Sequence, residues 1–142
     1  MNSQPVVIDT NLVFSALIPK ESKIREILFI PTLTFYAPNY LITEIYLHKE
    51  RITKNSKLDD ETFYFLFSAI MERISFLPIE IISLESRQKG YDFCKDIDLK
   101  DTPFVSLAIE LQAMFWTGDK KLKKGLTEKG FKSFFEPDDF LK

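Results

Sequence analysis

The sequence predicts an α/β fold, a three-layer α/β/α sandwich with a central, mainly parallel sheet of four to five strands. Three observations predict it. Short β-branched apolar runs alternate with segments of helical periodicity, which implies right-handed crossovers between parallel strands. The run Val6, Val7, Ile8 lacks polar alternation, as a strand covered on both faces does. The chain shows no low-complexity segment, Gly/Ser linker or internal repeat, so residues 1–142 read as one domain.

The elements follow in order. "PVVI" (5–8) is the first strand, and residues 10–18 and "ESKIREILFI" (21–30) are helices, the second with Ile24, Ile27 and Leu28 on one face. "LTFYAP" (33–38) is a strand closed by Pro38. "NYLITEIYLHKERITK" (39–54) reads as one helix capped by Asn39, its apolar face made by Leu41, Ile45 and Ile52. "LDDETFYFLFSAIMERI" (58–74) is a helix opened by Asp59 or Asp60. "IEIISL" (79–84) reads as the third strand and "SRQKGYDFCKDI" (86–97) as a short helix. "DTPFVSLAIELQA" (101–113) has the strongest helical pattern, with Phe104, Leu107, Ala108 and Leu111 at i, i+3, i+4 and i+7. Pro103 favours the first helical position, which makes Thr102 the expected cap and leaves Asp101 just outside it. "AMFWT" (113–117) is the fourth strand, "DKKLKKGL" a short helix, and "FKSFFE" (131–136) a candidate edge strand.

Composition narrows the function classes. Apolar residues make up 45% and Phe occurs fourteen times, which excludes a disordered chain. "MNSQPVV" has no basic region ahead of an apolar stretch, and no run approaches the ~18 apolar residues of a membrane span, so no membrane association is expected. The single cysteine, Cys94, excludes an internal disulfide, suits a reducing cytoplasmic setting, and is expected in the core. A net charge of -2 is not that of a nucleic-acid binder, which is normally basic. Two bound divalent cations would reverse its sign, so a nucleic-acid reading requires the metal.

The carboxylates carry the chemistry. Asp9 directly follows a buried strand, where a bare charge is costly unless something pairs with it. "MFWTGDKK" (114–121) repeats that design, placing Asp119 just beyond its own strand. Ligands of open parallel sheets sit beyond the carboxyl ends of the strands, so neighbouring first and fourth strands would bring Asp9 and Asp119 together. Taken singly, each also reads as a helix N-cap. "KDIDLKD" makes Asp96, Asp98 and Asp101 the densest acidic stretch, whose ordinary reading is a solvated loop. Glu44 lies inside a helix with His48 one turn on and Arg51 beyond, whose ordinary reading is a solvated face. Several carboxylates without a His/Cys ligand set suit a hard cation such as Mg2+ rather than zinc. No nucleophile motif and no Gly-rich phosphate loop is present.

These pieces together resemble the PIN-domain ribonucleases, including the VapC-type toxins of toxin–antitoxin pairs. "VVIDTN" resembles the family's opening strand with its Asp, "LITEI" the helix bearing the second acid, "DLKDTPFVSLAIEL" the helix opened by an Asp, and "FWTGDKKL" the closing Thr-x-Asp stretch. The resemblance runs from residue 5 to about 126. It implies that Asp9, Glu44, Asp101 and Asp119 are catalytic and ligate one or two Mg2+ or Mn2+ ions, with Asp98 as a fifth ligand. Asn11 would orient Asp9, and Thr117 would act behind the ligands on metal or phosphate. The implied reaction is metal-dependent hydrolysis of RNA phosphodiesters. Lys120, Lys121, Lys123 and Lys124 would meet the RNA backbone, and Tyr46 or Trp116 could stack on bases, although both read first as core. The implied partners are an RNA substrate, a cognate antitoxin and a second copy of the chain.

Other classes fit less well. A catalytically inactive PIN-like RNA-binding or regulatory module would keep the same acids. A phosphate-receiving signalling domain needs its phosphoacceptor Asp after a central strand, whereas Asp59 and Asp60 follow a helical segment. A haloacid-dehalogenase-type phosphatase would carry a second Asp at position 11, which is Asn.

Overall fold

The computed structural model describes residues 4–18 and 22–139. Its sheet has four parallel strands: β1 (Gln4–Ile8), β2 (Leu33–Pro38), β3 (Ile74–Leu77) and β4 (Met114–Trp116), ordered β3-β2-β1-β4. Val6, Val7 and Ile8 are fully buried, as the unbroken apolar run requires of a strand between two layers.

The chain steps outward from β1 through β2 to β3 and then returns across the sheet to β4. Right-handed crossovers therefore put the helices before β3 on one face and those between β3 and β4 on the other. The first layer holds α1 (Thr10–Ala16), α2 (Ser22–Leu28), α3 (Tyr40–Leu47), α4 (Lys49–Ser56) and α5 (Asp60–Glu72). The second holds α6 (Leu84–Cys94) and α7 (Thr102–Leu111), with α7 packed on β1 and β2. Helix α8 (Lys120–Glu128) follows β4. Phe35, Phe104, Phe115 and Phe135 fill the interior, and Cys94 is buried beside them. No helix among the described residues is long and apolar enough to cross a membrane.

Several elements differ from expectation. The third strand is Ile74–Leu77, not 79–84: Pro78 ends it, and Ile79–Ile81 forms a 3-10 turn with Ile79 and Ile81 exposed. The apolar residues of "IEIISL" thus belong to a surface turn that buries only Ile82. The helix expected over 39–54 is two helices broken at His48 (φ -114, ψ 13), and Asn39, already in a helical conformation, makes no side-chain cap bond. The second expected helix begins at Ser22, position 21 lying outside the described residues. "FKSFFE" forms only a bridge from Phe134 to Phe115.

Helices α6 and α7 pack closely because Gly90 faces Ser106. A Cβ at position 90 would stand 1.9 Å from Ser106 Oγ, and both residues are buried. Gly90→Ala is expected to cost about 1–3 kcal/mol of stability through overpacking, read as a lower denaturation midpoint at unchanged slope. An unchanged midpoint would mean that Ser106 turns aside without cost.

Candidate active site

The carboxyl ends of β1 and β4 lie side by side, with Ile8 paired to Trp116, and the Asp9 N–H donates to the Trp116 carbonyl (3.1 Å). Asp9 is the N-cap of α1: its Oδ1 accepts from the Leu12 N–H (3.0 Å). Its Oδ2 accepts from the Thr117 hydroxyl, which in turn accepts from the Asp119 N–H (3.1 Å). Asp119 caps α8, its Oδ1 accepting from the Leu122 N–H (3.0 Å). Capping and a shared site therefore coexist, since each aspartate commits one oxygen to its helix.

The other acids approach from both layers. Glu44 of α3 accepts from the Thr10 hydroxyl (2.6 Å). Asp101 ends a 3-10 turn (Leu99–Asp101) that runs directly into α7. It occupies the cap position in a helical conformation and makes no side-chain cap bond, and Thr102 is the first helical residue rather than the cap. The half-buried Asp101 carboxyl is thus left for other use. Asp98 spends one oxygen on the Lys100 N–H (3.0 Å) and stays exposed.

These side chains surround a cavity of about 270 Å³, lined by Asp9, Asn11, Glu44, Asp98 and Asp101 together with His48 and Arg51. Asp119 stands next to it, close enough to act on Asp9 and Asp101 electrostatically. Burial pushes the Asp9 carboxyl up to about 6 against the lowering bonds from Thr117 and Leu12, with Asp119 and Glu44 adding repulsion. Burial likewise pushes Asp101 up to about 7, helped by Asp98, Asp9, Asp119 and Glu44. Among the described residues no three His, Cys, Asp or Glu side chains are drawn tightly enough to hold an ion as they stand.

A family model for the PIN domain matches residues 7–133. The chain belongs to the PIN-domain family. PIN domains are nucleases, and the match spans every acid named above. Among solved structures, this PIN fold is similar to VapBC2 from Rickettsia felis bound to a DNA fragment from their promoter: TM-score 0.63, 14% identity, 85% of this chain and 92% of that one. It is also similar to PAE2754 from Pyrobaculum aerophilum, with a TM-score of 0.55 and 10% identity over 86% of this chain and 79% of that one. A search of curated proteins finds no match to the sequence.

Some expected roles move to other residues of the PIN domain. Asn11 lines the cavity but does not orient Asp9, whose carboxylate is held by Thr117 and the Leu12 N–H. Thr10, not foreseen, seats Glu44, and its signal lay in the polar pair that follows the strand directly. Trp116 is buried against Phe35 and Phe135 and cannot receive a base, while Tyr46, expected in the core, is 68% exposed. Lys123 pairs with Glu136 (2.7 Å) and lies over Phe134, so it secures the C-terminal segment; Lys120, Lys121 and Lys124 are exposed on α8. Thr117→Val is expected to lower metal affinity or activity by about 10–100-fold, as loss of a ligand's orienting partner does. Mn2+ titration and cleavage kinetics check this, and a neutral effect would show that Asp9 keeps its orientation without the hydroxyl.

Proposed function

We propose that this PIN domain is a metal-dependent endoribonuclease that hydrolyses RNA phosphodiester bonds, the toxin of a VapC-type toxin–antitoxin pair. One observation carries the reading: Asp9, Glu44, Asp101 and Asp119 meet at the carboxyl edge of the sheet, two of them seated by threonine hydroxyls. With Asp98 they would hold one or two Mg2+ or Mn2+ ions. The donor set fits, being all carboxylate oxygen, which hard cations take. The burial that raises the Asp9 and Asp101 pKa values marks charge that a cation would neutralise. A bound ion supplies charge neutralisation of the phosphate and a lowered pKa for the attacking water. Thr117 and Thr10 act as positioning residues, aiming Asp9 and Glu44 into the cavity, and one carboxylate of the set accepts the proton of the attacking water. Arg51 and Lys100 at the cavity supply cations for the RNA backbone.

The likeness to VapBC2 supports an antitoxin partner, and the exposed Tyr64 and Phe65 of α5 support burial against another chain, here a second copy. The setting is cytoplasmic. The test follows cleavage of a mixed-sequence single-stranded RNA by the full chain in Mn2+, in Mg2+ and in EDTA. Metal-dependent cleavage is expected. A folded but inert protein that still binds RNA would favour the regulatory-module reading.

A further inference from the structure

The acid-lined cavity adjoins a second cavity of about 180 Å³, lined by Phe14, Ile18, Arg51, Ile52 and Asn55. Phe14 and Arg51 line both, so the two are continuous, the second lying between the end of α1 and α4. Their chemistry differs: the first is rimmed by carboxylates, whereas the second has an aromatic ring, two aliphatic walls and a single neutral polar group, the Asn55 amide. We propose that this second cavity is a nucleobase subsite, receiving the base next to the phosphodiester held at the carboxylates. The proposal rests on the nuclease reading and adds what selects the strand.

The match is one of chemistry. Single-stranded RNA presents a charged backbone and, one sugar away, a flat apolar base with a polar edge that can be splayed out. The two cavities present a site for cations, Arg51 shared between them, and apolar walls with the Asn55 amide among them. Arg51 forms no ion pair with any carboxylate among the described residues, which leaves it for a phosphate or for stacking. Asn55 carries a donor and an acceptor on one amide, the combination that reads a base edge and that a phosphate, an acceptor only, does not require. Phe14 meets the His48 ring edge-on at 6.0 Å, which places an aromatic face at the junction of the two cavities.

The experiment measures anisotropy of fluorescein-labelled single-stranded RNA against an abasic strand of equal length, in Mg2+ and in EDTA, with strand integrity checked on gels. Cut positions in a mixed-sequence RNA are mapped in Mn2+. The full chain, Ile18→Trp and Asn55→Leu are compared. The base-bearing strand is expected to bind about tenfold more tightly than the abasic one. Ile18→Trp, which fills the cavity, should erase that difference, and Asn55→Leu, at an exposed position, should redistribute the cuts. Equal binding of the two strands, or cut positions unchanged in both variants, overturns the subsite, as would be found if the cavity instead took a protein side chain. Base-dependent binding without cleavage sustains the subsite and overturns the nuclease reading; metal-dependent cleavage without base dependence does the reverse.

Discussion

Asp9→Asn and Asp119→Asn are each expected to lower RNA cleavage by at least about a thousandfold, about 4 kcal/mol of transition-state stabilisation, while leaving the fold intact. Asn is nearly isosteric with Asp and caps helices as well. The bonds from Leu12 and Leu122 survive with the amide oxygen facing each helix; what disappears is charge and, in Asp9→Asn, the acceptor of the Thr117 hydroxyl. Single-turnover cleavage beside a thermal melt separates the two effects. A variant that stays active removes its acid from the catalytic assignment, and one that is inactive because it has unfolded would contradict the capping argument.

The metal-free protein is expected to lose stability as pH rises from about 4 to about 7. The sign follows from the direction of the shifts. Asp9 and Asp101 hold their protons up to about 6 and about 7 in the fold, whereas an unfolded chain releases them near 3.9. Between those values the folded state binds more protons, so stability falls with rising pH. For Asp9 the effect is at most about 3 kcal/mol; for the half-buried Asp101, solvent screening reduces it. Asp9→Asn should thus melt higher than the parent chain in EDTA at pH 8, and Mn2+ should restore the parent but hardly move the variant. A melting temperature flat across this range, or a variant less stable than the parent, would show that the carboxylates are not strained.

The fold was legible where sequence pattern and burial coincide. The strand 33–38 appears with the expected bounds because Pro38 punctuates it, and β1 because an apolar run with no polar alternation has no other home. "IEIISL" carries four apolar residues in six and reads as a strand as readily as "ISFL" does, yet only the latter finds a partner in β2. The break at His48 lies in a helix whose apolar positions Leu41, Ile45 and Ile52 keep one face through it, so periodicity did not expose it. The convergence of Asp9 and Asp119 was legible as a repeated strand-end design. The seating of the acids was not: Thr10 meets Glu44, and Thr117 meets Asp9, across 34 and 108 residues of chain.

The central claim is that these carboxylates hold a divalent cation, and calorimetric titration of Mn2+ into the metal-free chain and into Asp9→Asn tests it most directly. The account predicts saturable binding by the parent chain with one or two ions per protein, accompanied by proton release, and binding at least about tenfold weaker in the variant. Equal titrations for the two proteins, or none for either while both are folded, would contradict it.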